Sequence, residues 1–290
     1  MRRLMPTRVC MILLLVSLAC ALGNNGHGLG GVILTTRGIE SDRLPQFQQI
    51  LRDAAAGEQL SIALVVTASR APCSSAKDWL TSGGSSAPDT SAENGSASAC
   101  SAQQEKVAES LRVLSALGAR VDVVDAASDT IHEMKEKLRT AHCIYVLGGN
   151  TFYLWHHMRA SGLDELIRQR VREGTLYVGC SAGSIVAGQS ISTAFWKGWD
   201  DPAVVKADWS QPHAVRALGL VDASVFPHYA STWAGLVARR KGELDHTLIT
   251  LEEEHGMYVS GVRMHGETAS LLSRDQQHAA AHIPTIHSGQ

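Results

Sequence analysis

The chain alternates between short β-branched apolar runs and amphipathic stretches, and this alternation constrains its fold more than any other feature. The apolar runs, which predict strands, are Val32–Thr36, Leu60–Thr67, Val121–Val124, Cys143–Leu147 and Thr175–Cys180. The amphipathic stretches, which predict helices, are Leu44–Ala56, Gln103–Leu117, Asp129–Thr140, Phe152–Arg159 and Leu163–Glu173. Strands and helices that alternate at this spacing predict an α/β fold, with a mostly parallel sheet and helices on both faces.

The pattern continues less regularly beyond Gly188, and we interpret residues 31–275 as one domain. Its later segments are a strand-like run, a helical stretch and two further strand-like runs: Ala217–Phe226, Trp233–His246, Met257–Ser260 and Thr268–Leu272. The stretch 74–102 is rich in Ser, Gly and Ala and predicts a mobile surface insertion, and residues 276–290 read as a polar tail.

The N-terminus has the features of a secretory signal peptide. Three arginines among the first eight residues precede the apolar run Val9–Leu22, which contains the small-residue triplet Ala19–Ala21. This pattern predicts a signal over residues 1–21 and a linker over 22–30. A secreted or endomembrane-lumen location follows, without stable membrane association after cleavage. A mis-assigned start codon would instead leave the protein cytoplasmic.

The net charge bears on the binding partners of the protein, and its cysteines bear on the cellular compartment. A net charge of −2 gives no reason to expect a nucleic-acid partner. Cys73 and Cys100 bracket the Ser-rich segment and predict a disulfide in an oxidising compartment, where Asn94 would also stand in a glycosylation sequon.

The stretch "YVGCSAGSIVAG" runs from an apolar strand through Gly179-x-Ser181-x-Gly183 into a helix. A serine on such a turn is exposed and lies near a helix N-terminus, which stabilises developing negative charge. Ser181 is therefore the candidate nucleophile, and the backbone N–H of Ala182 is a candidate oxyanion donor. A purely structural turn is the alternative. Strand alternation directs Cys180 away from Ser181 and favours a packing role for it.

Two further strand ends carry candidate functional residues. The motif Gly148-Gly149-Asn150-Thr151 follows an apolar strand, so the Gly149 N–H is a candidate second oxyanion donor. Asn150 is a candidate helix N-cap or substrate contact. His228 ends another apolar run, directly after a proline, and is the candidate general base.

A third group should orient the imidazole of His228. Asp200 and Asp201 lie in the loop between Ser181 and His228, and either suits this role. The acidic run Glu252–Glu254 is the alternative, although three consecutive glutamates usually form a solvated surface.

Three stretches, "YVLGGNTFYLW", "GTLYVGCSAGSIVAG" and "LGLVDASVFPHY", resemble in order and spacing the motifs of the peptidase E (α-aspartyl dipeptidase) and cyanophycinase family of serine peptidases. The resemblance implies a single-domain, flavodoxin-like sheet similar to that of class I glutamine amidotransferases. It also implies Ser181 as nucleophile, His228 as base, and Gly149 and Ala182 as oxyanion donors.

The same resemblance suggests roles for other residues. The family's aspartate in a D-x-P context favours Asp200 as the third catalytic residue, with Asp201 still open. Glu253 corresponds to a glutamate that binds the substrate amino group or takes the third catalytic role. Arg239 and Arg240 lie roughly where the family has an arginine for aspartyl specificity, and Asn150 and Thr151 are further candidate substrate contacts.

We therefore expect a serine peptidase that hydrolyses short peptides through an acyl-enzyme, with dipeptides that begin with aspartate as candidate substrates. No metal or cofactor is implied, and a homodimer is the candidate assembly. Two alternatives remain at this point: a serine esterase or lipase, and a non-catalytic binding protein on the same scaffold.

Overall fold

The computed structural model describes residues 31–39, 44–71, 94–253 and 256–259, and these residues form one six-stranded sheet and one two-stranded sheet. The strands are β1 (Val32–Thr35), β2 (Ser61–Val65), β3 (Arg120–Val124), β4 (Cys143–Val146), β5 (Leu176–Cys180), β6 (Ala223–Tyr229), β7 (Thr247–Glu252) and β8 (Gly256–Val259). The large sheet has the order β3-β2-β4-β5-β1-β8, and its first five strands are parallel. β8 pairs antiparallel with β1, and β6 pairs in parallel with β7.

The α-helices of the described residues connect these strands. They are α1 (Leu44–Ala54), α2 (Thr67–Arg70), α3 (Asn94–Ala116), α4 (Ile131–Arg139), α5 (Thr151–Ser161), α6 (Leu163–Arg172), α7 (Ala182–Ala187), α8 (Pro212–Val215) and α9 (Ala234–Arg240). Several ends follow local rules: Thr130 forms a capping box with Glu133 at the start of α4, and Gly162 adopts the left-handed conformation after α5.

The core is divided by the large sheet into two layers, because successive strand residues point to opposite faces. Val32, Leu34 and Tyr177 pack with the buried residues of α4 to α7 on one face. Ile33 and Val178 pack with α1 and α3 on the other. The predicted arrangement, a mostly parallel sheet covered on both faces, is confirmed.

Four predicted segments differ from the structure. The strand expected over Ala217–Phe226 is β6, which begins later, at Ala223, and extends to Tyr229. Residues 94–102 of the expected mobile insertion form the start of α3, consistent with the high helix propensity of their alanines. The helix expected over Trp233–His246 ends at Arg240. A strand that we did not predict, β7, follows it with the β-branched sequence TLITLE.

Other predictions fall on residues that the structure does not describe. These are the signal peptide, the linker, most of the insertion, the strand-like run Thr268–Leu272 and the polar tail. Cys100 is disulfide-bonded, while its predicted partner Cys73 lies outside the described residues. Among the helices described, none combines the length and apolarity needed to cross a membrane.

Candidate active site

Ser181 occupies a sharp turn between β5 and α7. Its φ of 48° and ψ of −106° are unusual for a residue with a side chain, and such strain is typical of functional sites. The flanking glycines permit the turn: a Cβ at Gly183 would lie 2.2 Å from the Val146 carbonyl oxygen, and one at Gly179 would lie 2.7 Å from the Gly183 carbonyl oxygen. The close approach of strand and helix thus requires both glycines.

Buried hydroxyl groups hold this turn against the sheet. The Ser184 Oγ accepts a 2.9 Å hydrogen bond from the Thr35 amide and lies 2.7 Å from the Thr35 carbonyl oxygen. The Tyr177 hydroxyl donates to the Gly183 carbonyl at 2.6 Å. Because burial raises the pKa of Tyr177, the phenol stays protonated and keeps this donor.

His228 links Ser181 to a carboxylate. The Ser181 Oγ lies 2.9 Å from His228 Nε2, and His228 Nδ1 lies 2.7 Å from Glu253 Oε1. A carboxylate at Nδ1 selects the tautomer with the proton on Nδ1, which leaves Nε2 as the acceptor for the serine hydroxyl. The three side chains therefore form a continuous path for moving a proton away from Ser181.

The backbone of His228 is also unusual. Its φ is 55°, so it shares with Ser181 and Ala56 a positive φ that, among the described residues, no other non-glycine residue has. The His228 amide donates a long, 3.4 Å hydrogen bond to Thr36 Oγ1. Both residues of the 2.9 Å Ser–His contact are thus held in backbone conformations that side chains rarely adopt.

Asp200 was the first candidate for the group that orients His228, and the structure gives that contact to Glu253 instead. Asp200 Oδ2 accepts a 3.0 Å hydrogen bond from the Thr151 amide at the start of α5, where a helix N-terminus favours a carboxylate. Burial raises the pKa of Asp200, and the bond from Thr151 opposes that rise. Asp201 is exposed and accepts from the Ala203 amide at 2.8 Å.

Strand pairing explains why Glu253 reaches the histidine. β6 and β7 are parallel neighbours, with Tyr229 opposite Glu252. His228 and Glu253 each adjoin one residue of that pair, so both lie at the same end of the small sheet. Of the acidic run Glu252–Glu254, the structure therefore brings the middle residue to the imidazole.

The backbone amides of Gly149 and Ala182 are available near Ser181. Among the described residues, neither amide has a hydrogen-bond acceptor. Gly148 lies so close that a Cβ there would be 3.0 Å from the Ser181 Cβ. The arrangement fits the predicted oxyanion donors, since unpartnered N–H groups beside a nucleophile can bind a developing negative charge.

Gly149→Ala should damage both stability and activity. Gly149 has a φ of 141°, and a Cβ would lie 2.2 Å from the Ala68 carbonyl oxygen, so this loop must move to admit a methyl group. We expect a loss of about 2–4 kcal/mol in the free energy of unfolding, measured by urea denaturation. Gly242→Ala, where nothing lies within 4 Å of the added Cβ, is the matched control. An unchanged urea midpoint for Gly149→Ala would contradict the prediction.

The other predicted substrate contacts have structural partners. Asn150 caps α5 by accepting from the Tyr153 amide at 2.9 Å, and its amide nitrogen donates to the Asp201 carbonyl at 3.0 Å. Arg240 pairs with Glu243, and the Arg239 guanidinium is 3.5 Å from where a Gly235 Cβ would be. Within the described residues, neither arginine forms a hydrogen bond or an ion pair with Ser181, His228 or Glu253. Cys180 is buried on the sheet face opposite α7, as the alternation predicted.

Two residues beside the histidine were not singled out from the sequence. Trp199 is 60% exposed, and its ring centroid lies 5.6 Å from that of His228 in an edge-on arrangement. Lys197 donates to the His228 carbonyl at 3.0 Å. The tryptophan-rich stretch FWKGWDDP, between the serine and the histidine in sequence, was the available signal.

A strained serine at a strand–helix turn, joined to a histidine and a carboxylate at the edge of a parallel sheet, defines a site of the serine-hydrolase type. A sequence model of peptidase family S51 matches residues 96–280. Because that match covers well over half of the chain, the protein belongs to peptidase family S51.

Individual relatives agree with this assignment. An uncharacterized peptidase of Listeria monocytogenes is 36% identical over 121 residues, which are 42% of this chain and 56% of that protein. A probable alpha-aspartyl dipeptidase of Drosophila melanogaster is 38% identical over 148 residues, covering 48% of this chain and 57% of the relative. The chain thus spans little more than half the length of these curated relatives.

The fold agrees with that of a solved structure. A crystal structure described as a peptidase E protein of Listeria monocytogenes superposes with a TM-score of 0.53. The superposition covers 81% of this chain and 96% of that one, at 23% sequence identity. The predicted peptidase E-like fold is confirmed.

Proposed function

We propose that this protein is a serine peptidase that hydrolyses short peptides through an acyl-enzyme intermediate. The observation that carries the proposal is the unbroken path from Ser181 Oγ to His228, at 2.9 Å, and from His228 to Glu253, at 2.7 Å. A serine hydroxyl is a weak nucleophile without a base, and this path supplies one.

The proposed reaction follows from the contacts. Ser181 Oγ attacks the carbonyl carbon of the scissile bond while its proton passes to His228 Nε2. The amides of Gly149 and Ala182 then stabilise the negative charge on the carbonyl oxygen. His228 gives its proton to the leaving amine, and a water molecule, activated by the same imidazole, releases the acyl group from Ser181. Glu253 stabilises the imidazolium that forms in each half-reaction.

The proposed substrates are short peptides, with dipeptides that begin with aspartate tested first. The name of the fly relative, a probable alpha-aspartyl dipeptidase, supports this order. Arg239 and Arg240 lend little support to an aspartyl preference, because among the described residues neither forms a hydrogen bond or an ion pair with the reacting side chains.

A dipeptide panel tests the proposal. Purified protein is incubated with α-aspartyl, isoaspartyl, glutamyl and alanyl dipeptides and with a simple carboxylic ester, and free amino acids are quantified by chromatography. We expect turnover of at least one dipeptide class, and no turnover by a Ser181→Ala preparation made in parallel. Ester cleavage without any dipeptide cleavage would favour an esterase. No cleavage of either substrate, together with no labelling by a fluorophosphonate, would overturn the enzyme assignment.

A further inference from the structure

Lys197 lies in an aromatic enclosure beside the catalytic histidine. Its Nζ is 4.3 Å from the ring centroids of both Trp199 and Phe226, and 5.6 Å from that of Trp233. Aromatic ring faces attract an ammonium group, most strongly where water is partly excluded. The half-buried lysine therefore has a defined position, in contrast to a solvent-exposed lysine.

The same ammonium group binds the main chain of the histidine. Nζ donates to the carbonyl oxygen of Pro227 and, at 3.0 Å, to that of His228. These two carbonyls stand on either side of the His228 Cα, whose φ is 55°. Since the His228 amide has only a long bond to Thr36, the lysine supplies the stronger restraint on this strained backbone.

Several charged groups surround Lys197. Burial lowers the pKa of Lys197 to about 8. It outweighs Glu253, which directly follows β7, and Asp200, in the same loop as Lys197, both of which favour the charged lysine. The His228 imidazole lies against Trp199, the ring that Nζ faces. From α9, the Arg240 guanidinium lies over Trp196, the residue before Lys197. With burial opposed by these two carboxylates, the Lys197 ammonium loses its proton just above neutral pH.

We propose that Lys197 is a positioning residue for the hydrolysis, which clamps the main chain of His228 so that the imidazole reaches Ser181 and Glu253 together. The inference rests on the proposed peptidase function. Without the clamp, the backbone of His228 is free to relax toward negative φ, which would turn the ring away from at least one partner. The lysine acts through His228 and does not touch the reacting atoms.

This role gives activity and stability opposite dependences on pH. As pH rises through about 8, the ammonium loses the charge that holds the carbonyls, so kcat should fall. Because the pKa of Lys197 in the folded protein is lower than the usual lysine value of 10.5, the unfolded chain binds more protons at pH values between about 8 and 10.5. The contribution of Lys197 to stability therefore rises with pH over the interval in which activity declines.

Lys197→Met tests the clamp, with the exposed Lys206→Met as the matched control. We expect kcat of Lys197→Met at pH 7 to fall about 10- to 100-fold with KM unchanged within about twofold, because only the geometry of the base is altered. The decline of wild-type kcat above pH 8 should be absent in Lys197→Met and present in Lys206→Met. The urea midpoint of Lys197→Met should equal or exceed that of the wild type, because an unfavourably buried charge is removed.

Three outcomes would overturn the inference: an unchanged kcat in Lys197→Met, a change in KM alone, or an alkaline decline that persists in that variant. A nuclear magnetic resonance readout keeps the test independent of turnover. The wild-type spectrum should contain a low-field proton for His228 Nδ1–H bonded to Glu253, and Lys197→Met should lose it. If the wild type neither cleaves a dipeptide nor reacts with a fluorophosphonate, the proposed function fails. Even then, an unchanged low-field signal in the variant would overturn the clamp, and its loss would support it.

Discussion

Ser181→Ala is expected to lower kcat/KM for a cleaved dipeptide by about 10⁶-fold, to the level set by binding and by the oxyanion donors alone. The reason is that, in the proposed mechanism, Ser181 Oγ gives up its proton across the 2.9 Å contact with His228 and attacks the substrate. Turnover is measured by release of amino acids, and covalent labelling by a fluorophosphonate is followed by intact mass.

The control for this experiment is Ser210→Ala, a change at an exposed serine whose hydrogen bonds, within the described part of the chain, are with Asp208. This variant should retain wild-type turnover and labelling. The urea midpoint of Ser181→Ala should stay close to that of the wild type, because the half-buried side chain loses one hydroxyl and its hydrogen bond to His228. Residual dipeptidase activity within tenfold of the wild type in Ser181→Ala would contradict the assignment of the nucleophile.

Glu253→Gln and Asp200→Asn should have very different effects. Replacing the carboxylate at His228 Nδ1 with an amide removes the charge that stabilises the imidazolium and allows the wrong tautomer, so kcat should fall about 10²- to 10³-fold. A larger loss is not expected because the Glu253 side chain is 52% exposed and water partly compensates. Asp200→Asn should lower kcat less than about tenfold, since an amide oxygen still accepts from Thr151.

Steady-state kinetics of Glu253→Gln and Asp200→Asn show which of the two carboxylates orients His228. Asp201→Asn, at an exposed residue whose side chain accepts from the Ala203 amide, serves as a neutral comparison. A loss that is greater in Asp200→Asn than in Glu253→Gln would assign the orienting role to Asp200. It would also mean that the loop after Ser181 rearranges when substrate binds.

The sequence pattern alone predicted the parallel sheet, and it also singled out Ser181 and His228, which the structure brings into contact at the edge of that sheet. The strands around Ser181 are buried and short, so apolar runs identify them directly. The histidine ends such a run. Local pattern does not determine the third partner, because Asp200 and Glu253 are separated from His228 by loops, and only the pairing of β6 with β7 brings Glu253 to the imidazole. Arg239 and Arg240 illustrate the same limit, because the direction of a side chain on a short helix is not encoded in its spacing from the histidine.

The β6–β7 pair has a consequence for how activity should respond to partial denaturation. Ser181 follows a strand of the six-stranded sheet, whereas His228 lies in a strand of the separate two-stranded sheet and Glu253 directly follows its other strand. The proposed site therefore lies where the two sheets meet, and its activity depends on how the small sheet is held against the large one. A two-stranded sheet has little cooperativity of its own. At low urea concentrations we therefore expect molecules that keep the six-stranded sheet but cleave no substrate. Activity should be lost at a lower urea concentration than secondary structure.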